Sequence, residues 1–189
     1  MLVTFSGRRA SQDEYELTTF VNLLVERGVS SYLEIGARHG DTFHYIMSRL
    51  PAGSRGIAVD LGGGPWGTPK SVPVLRNVAR DLRAKGYTAH IVFGDSRDEN
   101  TISTVVTHGH YDAVFIDGDH RYDGVKADWL NYGKLAPIVG FHDIVGTGQS
   151  DSAGNPVEVP KLWRELANVG ERKAIVSPGS KMGIGVILK

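Results

Sequence analysis

The chain has 189 residues, 41 % of them apolar and 22 % charged, with 21 basic side chains against 21 acidic ones, an ordinary globular composition without general attraction to nucleic acid or anionic membranes. The absence of cysteine excludes disulfides and thiolate metal sites, which leaves seven histidines and the carboxylates as metal ligands. No apolar run approaches the roughly 20 residues that span a bilayer, and MLVTFSGRRASQDE lacks a secretory pattern, so a single cytoplasmic domain over residues 1–189, enzyme or binding protein, is expected.

Ser11 to Glu14 reads as a capping box opening a helix that carries Leu17, Phe20, Val21, Leu24 and Val25 and stops at Gly28. Ser31 to Ile35 is a strand. After the turn Gly36 to Gly40, Asp41 is the expected N-cap of a helix with Phe43, Ile46, Met47 and Leu50 on one face, ended by Pro51-Ala-Gly53. A strand follows at Gly56 to Val59, then an irregular Gly- and Pro-rich loop, Leu61 to Lys70. Ser71-Val-Pro73 starts a helix with Leu75, Val78 and Leu82. Ala89 to Phe93 is a strand and Glu99 to Thr107 a short helix. Tyr111 to His120 contains a buried strand, because Val114, Phe115 and Ile116 form a continuous apolar run. The next helix carries Tyr122, Val125, Trp129 and Tyr132, and its Trp129 face belongs to the core. Pro137 to Val145 holds a strand, 146–157 a polar loop, and Pro160 to Asn168 a helix. Lys173 to Val176 and Ile184 to Leu188 close the chain as strands joined too briefly for anything but an antiparallel pair.

This alternation predicts a doubly wound α/β fold: a mostly parallel seven-stranded sheet, helices on both faces, and a C-terminal antiparallel hairpin. In such sheets ligands bind beyond the carboxyl ends of the strands. The polar residues gather there. Leu33-Glu-Ile-Gly-Ala-Arg-His-Gly40 leads from strand to helix; Gly36 suits a tight turn and close ligand approach, and Gly40 lets the helix start near the sheet. Glu34 stands where a dinucleotide-binding pattern would have glycine; it would repel a pyrophosphate and accept from an ammonium. Asp60 ends the second strand, with two acceptor oxygens for two ribose hydroxyls. Asp95-Ser96 ends the third, where Asp95 would accept from an adenine amino group. The fourth ends in Asp117-Gly-Asp-His120 and the fifth in His142-Asp143.

In order, LEIGARHG, GIAVD, FGDS, YDAVFIDGDH and GFHDIV resemble the motifs of class I S-adenosylmethionine-dependent methyltransferases, from about Ser31 to the C-terminus. The resemblance implies a Rossmann-like methyltransferase fold. It implies that the Gly36 turn, with Ala37 and Gly40, lines the methionine part of the cofactor, with Glu34 and Asp117 nearby. Asp60 with Leu61 would flank the ribose, and Asp95 with Ser96 the adenine. Within that superfamily the chain is similar to metal-dependent small-molecule O-methyltransferases, those acting on macrolide sugars and in part the catechol type. There an Asp-x-x-His segment supplies a metal-binding carboxylate and a general base, matched here by Asp117 and His120. An acid followed by Asp completes that metal site; here Asp143 matches and His142 departs.

The expectation is therefore methyl transfer to a small hydroxylated acceptor, with Asp117, His142 and Asp143 at a divalent cation, Mg²⁺ by preference, and His120 as base. His142 stays open between ligand, base and neighbour of the ligands. A metal-independent methyltransferase and a non-catalytic nucleoside-binding module are the alternatives; a homo-oligomer is open, and neither nucleic acid nor membrane is an expected partner. Asp119 reads as a turn or cap residue, His39 as a surface residue, and His108 and His110 as favourable partners of a helix C-terminus. Trp66 either covers the adenine or shapes a lid, or simply packs.

Overall fold

The computed structural model describes residues 12–63, 71–146, 148–151 and 154–189. Trp66 and Ser11 lie outside them. The strands are β1 (Ser31–Ile35), β2 (Arg55–Asp60), β3 (Thr88–Phe93), β4 (Ala113–Ile116), β5 (Ile138–His142), β6 (Glu171–Ile175) and β7 (Ile184–Leu188). The helices are α1 (Glu14–Glu26), α2 (Asp41–Met47), α3 (Ser71–Ala84), α4 (Glu99–Thr107), α5 (Tyr122–Tyr132) and α6 (Val159–Glu165). The strands form one sheet in the order β3-β2-β1-β4-β5-β7-β6. The first five pair in parallel, and β7 runs antiparallel to both β5 and β6. The expected architecture is thus the observed one.

The period-two alternation of each strand divides its side chains between two cores. In β1, Tyr32 joins the core built with Phe20 and Leu24 of α1, Phe43 and Ile46 of α2, and Leu75, Val78 and Leu82 of α3. Leu33 and Ile35 join the other, with Val105 of α4, Val125 of α5 and Leu162 of α6. Phe20 meets Phe115 at 5.1 Å between ring centroids, and Trp129 meets Phe141 at 5.7 Å, so the α5 face is core as expected. Among the described residues no helix is long and apolar enough to cross a membrane.

Some local expectations are corrected. Asp13 caps α1, accepting from the backbone N–H groups of Tyr15 and Glu16. Asp41 is the first residue of α2 and not its cap; Gly40 holds that place at φ 79°, with no side-chain bond. There the turn geometry outweighs cap preference, and a Cβ on Gly40 would collide with Leu75. The sixth strand starts earlier, at Glu171, and α6 stops short of Asn168. His108 is not favoured as a cation: burial, and then His90 and Arg55, lower its pKa.

Candidate active site

All five parallel strands end on one side of the sheet, where a cavity of about 710 Å³ opens. That volume is in the range of small-molecule sites. Gly36, Ala37 and His39 line it from the β1 turn, Asp60 and Leu61 from β2, and Asp95, Ser96 and Arg97 from β3. Asp117, Asp119, His120 and Arg121 follow from β4, and His142 and Asp143 from β5. Gln12, Gln149, Ser150, Asp151, Val157 and Met182 also line it. The strand ends singled out in the sequence therefore converge on one site.

Gly36 has φ 91°, and a Cβ there would overlap the backbone of Asp117 and Gly118. The turn thus lies flat against the β4 end and leaves backbone exposed toward the cavity. Asp60 secures the same turn. Its Oδ2 accepts from the Arg38 N–H at 2.6 Å and its Oδ1 from the Gly62 N–H at 2.8 Å. Arg38 needs this support, since it holds φ 49° without being glycine. Burial raises the Asp60 pKa against those two bonds.

Glu34 is placed differently from expectation. It is buried beneath the turn and outside the cavity lining, with Tyr32 donating to its Oε2 at 2.7 Å. Burial pushes its pKa up to about 8, while bonds from Tyr32 and the Phe43 backbone pull the other way. His39, read as a surface residue, is half-buried on the cavity wall, its Nε2 3.5 Å from Ser71 Oγ.

Two matching pairs occupy the β3 and β4 ends. Asp95 grips Arg97 through both oxygens at 3.0 and 2.8 Å, and Asp119 grips Arg121 at 2.9 and 2.6 Å. The Asp-x-Arg spacing in both segments was the available sequence signal for these arginines. Asp119 also accepts from the Arg121 N–H, the expected turn role. The Asp95 carboxylate is engaged by Arg97, so an adenine amino group would share it.

The centre of the site follows from strand register. Ile116 pairs with Phe141, so the next residues, Asp117 and His142, fall side by side. His142 Nδ1 lies 3.1 Å from Asp117 Oδ1 and 3.4 Å from Asp143 Oδ2. Asp143, at φ 59°, turns its carboxylate back toward the same place. His120 arrives from the β4 loop, with Nε2 3.4 Å from Asp117 Oδ1 and Nδ1 3.3 Å from Asp143 Oδ2. Asp117 Oδ2 accepts from Gln12 Nε2 at 2.9 Å. Burial alone would raise the Asp117 pKa, but His142 and His120 outweigh it and hold the carboxylate well below its usual range. Burial likewise disfavours the charged rings, and the carboxylates reverse this, raising both histidine pKa values.

Asp117, His120 and Asp143 each bring one ligand atom within 4.8 Å of the others. This donor set differs from the expected one by a histidine. His142 has a side chain only 6 % exposed, against 20 % for His120, and both its ring nitrogens are buried. Both rings line the cavity, His120 as the more exposed of the two.

A family model described as a methyltransferase domain matches residues 33–144, more than half of the chain. The chain belongs to the methyltransferase-domain family. No curated protein matches it. Among solved structures this methyltransferase-domain chain is similar to an O-methyltransferase from Bacillus cereus in complex with SAH, with TM-score 0.71 and 16 % identity over 96 % of this chain and 84 % of that one. It is also similar to O-methyltransferase TomG of Streptomyces achromogenes, involved in tomaymycin synthesis and bound to SAM. There the TM-score is 0.67 and the identity 17 % over 94 % and 81 % of the two chains. Cofactor-bound Rv0187 from MTB gives 0.71 and 18 % over 96 % and 82 %. At these identities the likeness is one of fold, and the fold is the Rossmann-like class I methyltransferase fold.

Proposed function

We propose that this methyltransferase-domain protein uses S-adenosylmethionine to methylate a hydroxyl of a small molecule, with a divalent cation at Asp117, His120 and Asp143. The observation that carries this reading is the convergence of those three side chains on the cavity wall beside the Gly36 turn.

The chain's residues fit both groups. S-adenosylmethionine supplies, when bound, a methyl group on a sulfonium. Gly36 and Ala37 would hold its amino-acid end, Asp60 and Leu61 its ribose, and Asp95 with Ser96 its base. Each Asp60 oxygen keeps a second lone pair beyond its backbone bond, enough for the ribose hydroxyls. A divalent cation supplies, when bound, the Lewis acidity that lowers the pKa of a hydroxyl. Two carboxylates and an imidazole suit Mg²⁺ or Mn²⁺. His142, beside them, acts as a counter-charge to Asp117.

One observation favours a metal-independent methyltransferase as the second reading. His120 and His142 each contact both Asp117 and Asp143, so a ring that takes up a proton there is offset by carboxylates without an ion. His120, the more exposed ring, is then in its neutral form the base that takes the acceptor proton, and the two carboxylates hold the resulting imidazolium, a role worth typically about 10²–10⁴-fold.

Calorimetry with S-adenosylhomocysteine, with and without Mn²⁺, tests the binding. Labelled S-adenosylmethionine with a panel of polyols, catechols and sugars tests transfer before and after EDTA. We expect cofactor binding and EDTA-sensitive transfer to a hydroxyl. Transfer insensitive to EDTA selects the second reading, cofactor binding without transfer to any acceptor selects a binding module, and no cofactor binding at millimolar concentration overturns the assignment.

A further inference from the structure

Gln12 stands 105 residues from Asp117 in the chain, yet its amide crosses to the centre of the site. Its Nε2 donates to Asp117 Oδ2 at 2.9 Å. Both histidine contacts fall on the other oxygen, Oδ1. The two oxygens are therefore divided: one held by a neutral donor, the other turned to the imidazoles.

The placement of Gln12 is fixed from two sides. Asp13, the next residue, caps α1 and anchors its first turn. One turn on, the buried Glu16 accepts from the backbone N–H groups of Ser177 at 2.9 Å and Gly183 at 3.0 Å. Gly183 precedes Ile184, which pairs with His142 across β7 and β5. The Gly183 carbonyl also accepts from the Ile144 N–H at 3.4 Å. The start of α1 is thus fastened to the end of the sheet that carries His142 and Asp143, and Gln12 reaches over it.

We infer that Gln12 is a positioning residue for Asp117, with Glu16 setting its place. The inference rests on the cation reading above. The amide fixes the Asp117 carboxylate in one orientation and leaves Oδ1 for a cation shared with His120 and Asp143. Partners that orient a ligating carboxylate typically contribute about 10–100-fold in metal affinity. A neutral amide does this without adding a charge that would compete for the ion. Asn at this position would be one methylene too short, and Met would keep the length without the donor.

The test is Gln12→Met in the full chain, with Mn²⁺ affinity, S-adenosylhomocysteine affinity and Tm without metal measured side by side. We expect Mn²⁺ binding weakened about tenfold or more, with cofactor affinity unchanged and Tm nearly so. A purely structural residue would instead lower Tm and cofactor affinity together, and that pattern overturns the inference. Equal Mn²⁺ affinity in variant and wild type overturns it alone, leaving the cation reading intact. Wild type that binds S-adenosylhomocysteine and no Mn²⁺ overturns both this inference and the cation, and spares the cofactor assignment.

Discussion

Gly36 and Asp117 meet across the ends of β1 and β4 with no space for a side chain between them, since a Cβ on Gly36 would overlap the Asp117 carbonyl. The position combines a left-handed backbone with a rigid obstacle. Gly36→Ala should therefore cost about 2–4 kcal/mol, adding the left-handed penalty to overpacking. The turn must also open, so affinity for S-adenosylhomocysteine should fall more than tenfold. Gly53→Ala is the control: φ is 84°, but a Cβ would meet nothing within 4 Å, which leaves the backbone penalty alone. Urea denaturation of both variants settles it; equal losses would remove the close approach as the reason for glycine.

Asp60 links fold and site through the same turn. Replacing it by alanine removes the acceptor for two backbone N–H groups, of Arg38 and Gly62. The cost should be roughly 1–3 kcal/mol. Cofactor affinity should fall further than with Asp60→Asn, which keeps one acceptor oxygen. Calorimetry ranks the three proteins, and an alanine variant that binds S-adenosylhomocysteine as tightly as wild type would separate Asp60 from the ribose.

Glu34 makes stability depend on pH. Its folded pKa of about 8 lies above the usual carboxyl value of 4.5, because burial disfavours the charge. The folded state therefore keeps a proton that the unfolded chain releases, and stability falls as pH rises between those values. Asp128, pushed up to about 7 by burial, and Asp60 act in the same direction, as do the raised histidines. The difference between wild type and Glu34→Gln isolates the Glu34 share. The variant should come within about 1 kcal/mol of wild type near pH 5 and exceed it by roughly 3–5 kcal/mol at pH 8. A constant difference across that range would show that Glu34 is ionised in the folded protein.

Much of this was legible in the sequence because the elements obey local rules. The run Val114 to Ile116 is buried on both faces, and the closing strands had too short a link for a parallel return. The strand-end residues reached one cavity because a parallel sheet aligns its carboxyl ends. What escaped depended on tertiary placement. Residue type favoured Asp41 as a cap, while packing against Leu75 gave the place to Gly40. Glu34 alternates onto the same face as Tyr32 and is buried there with Tyr32 donating to it, outside the cavity lining. Gln12 carries no motif, and its contact exists only once α1 is docked. That His120 and His142 both reach Asp117 and Asp143 depends on the β4–β5 register and the left-handed turn at Asp143.

The two histidines should separate experimentally by burial. His142→Ala removes a buried partner from a buried carboxylate, and breaking such a pair costs roughly 3–5 kcal/mol. The variant should therefore show a clearly lower Tm in metal-free buffer. A cation between Asp117 and Asp143 would restore the missing positive charge, so Mn²⁺ should recover part of that Tm. His120→Ala should lose less stability, because its ring is more exposed, yet on the proposed cation reading should bind Mn²⁺ weakly, because it would then lack one of the three ligands. Thermal scans of both variants with and without Mn²⁺ read all four quantities. If Mn²⁺ leaves the Tm of His142→Ala unmoved while the variant still binds S-adenosylhomocysteine, the quartet works as an acid–base cluster without a metal, and the role of His120 is that of the base.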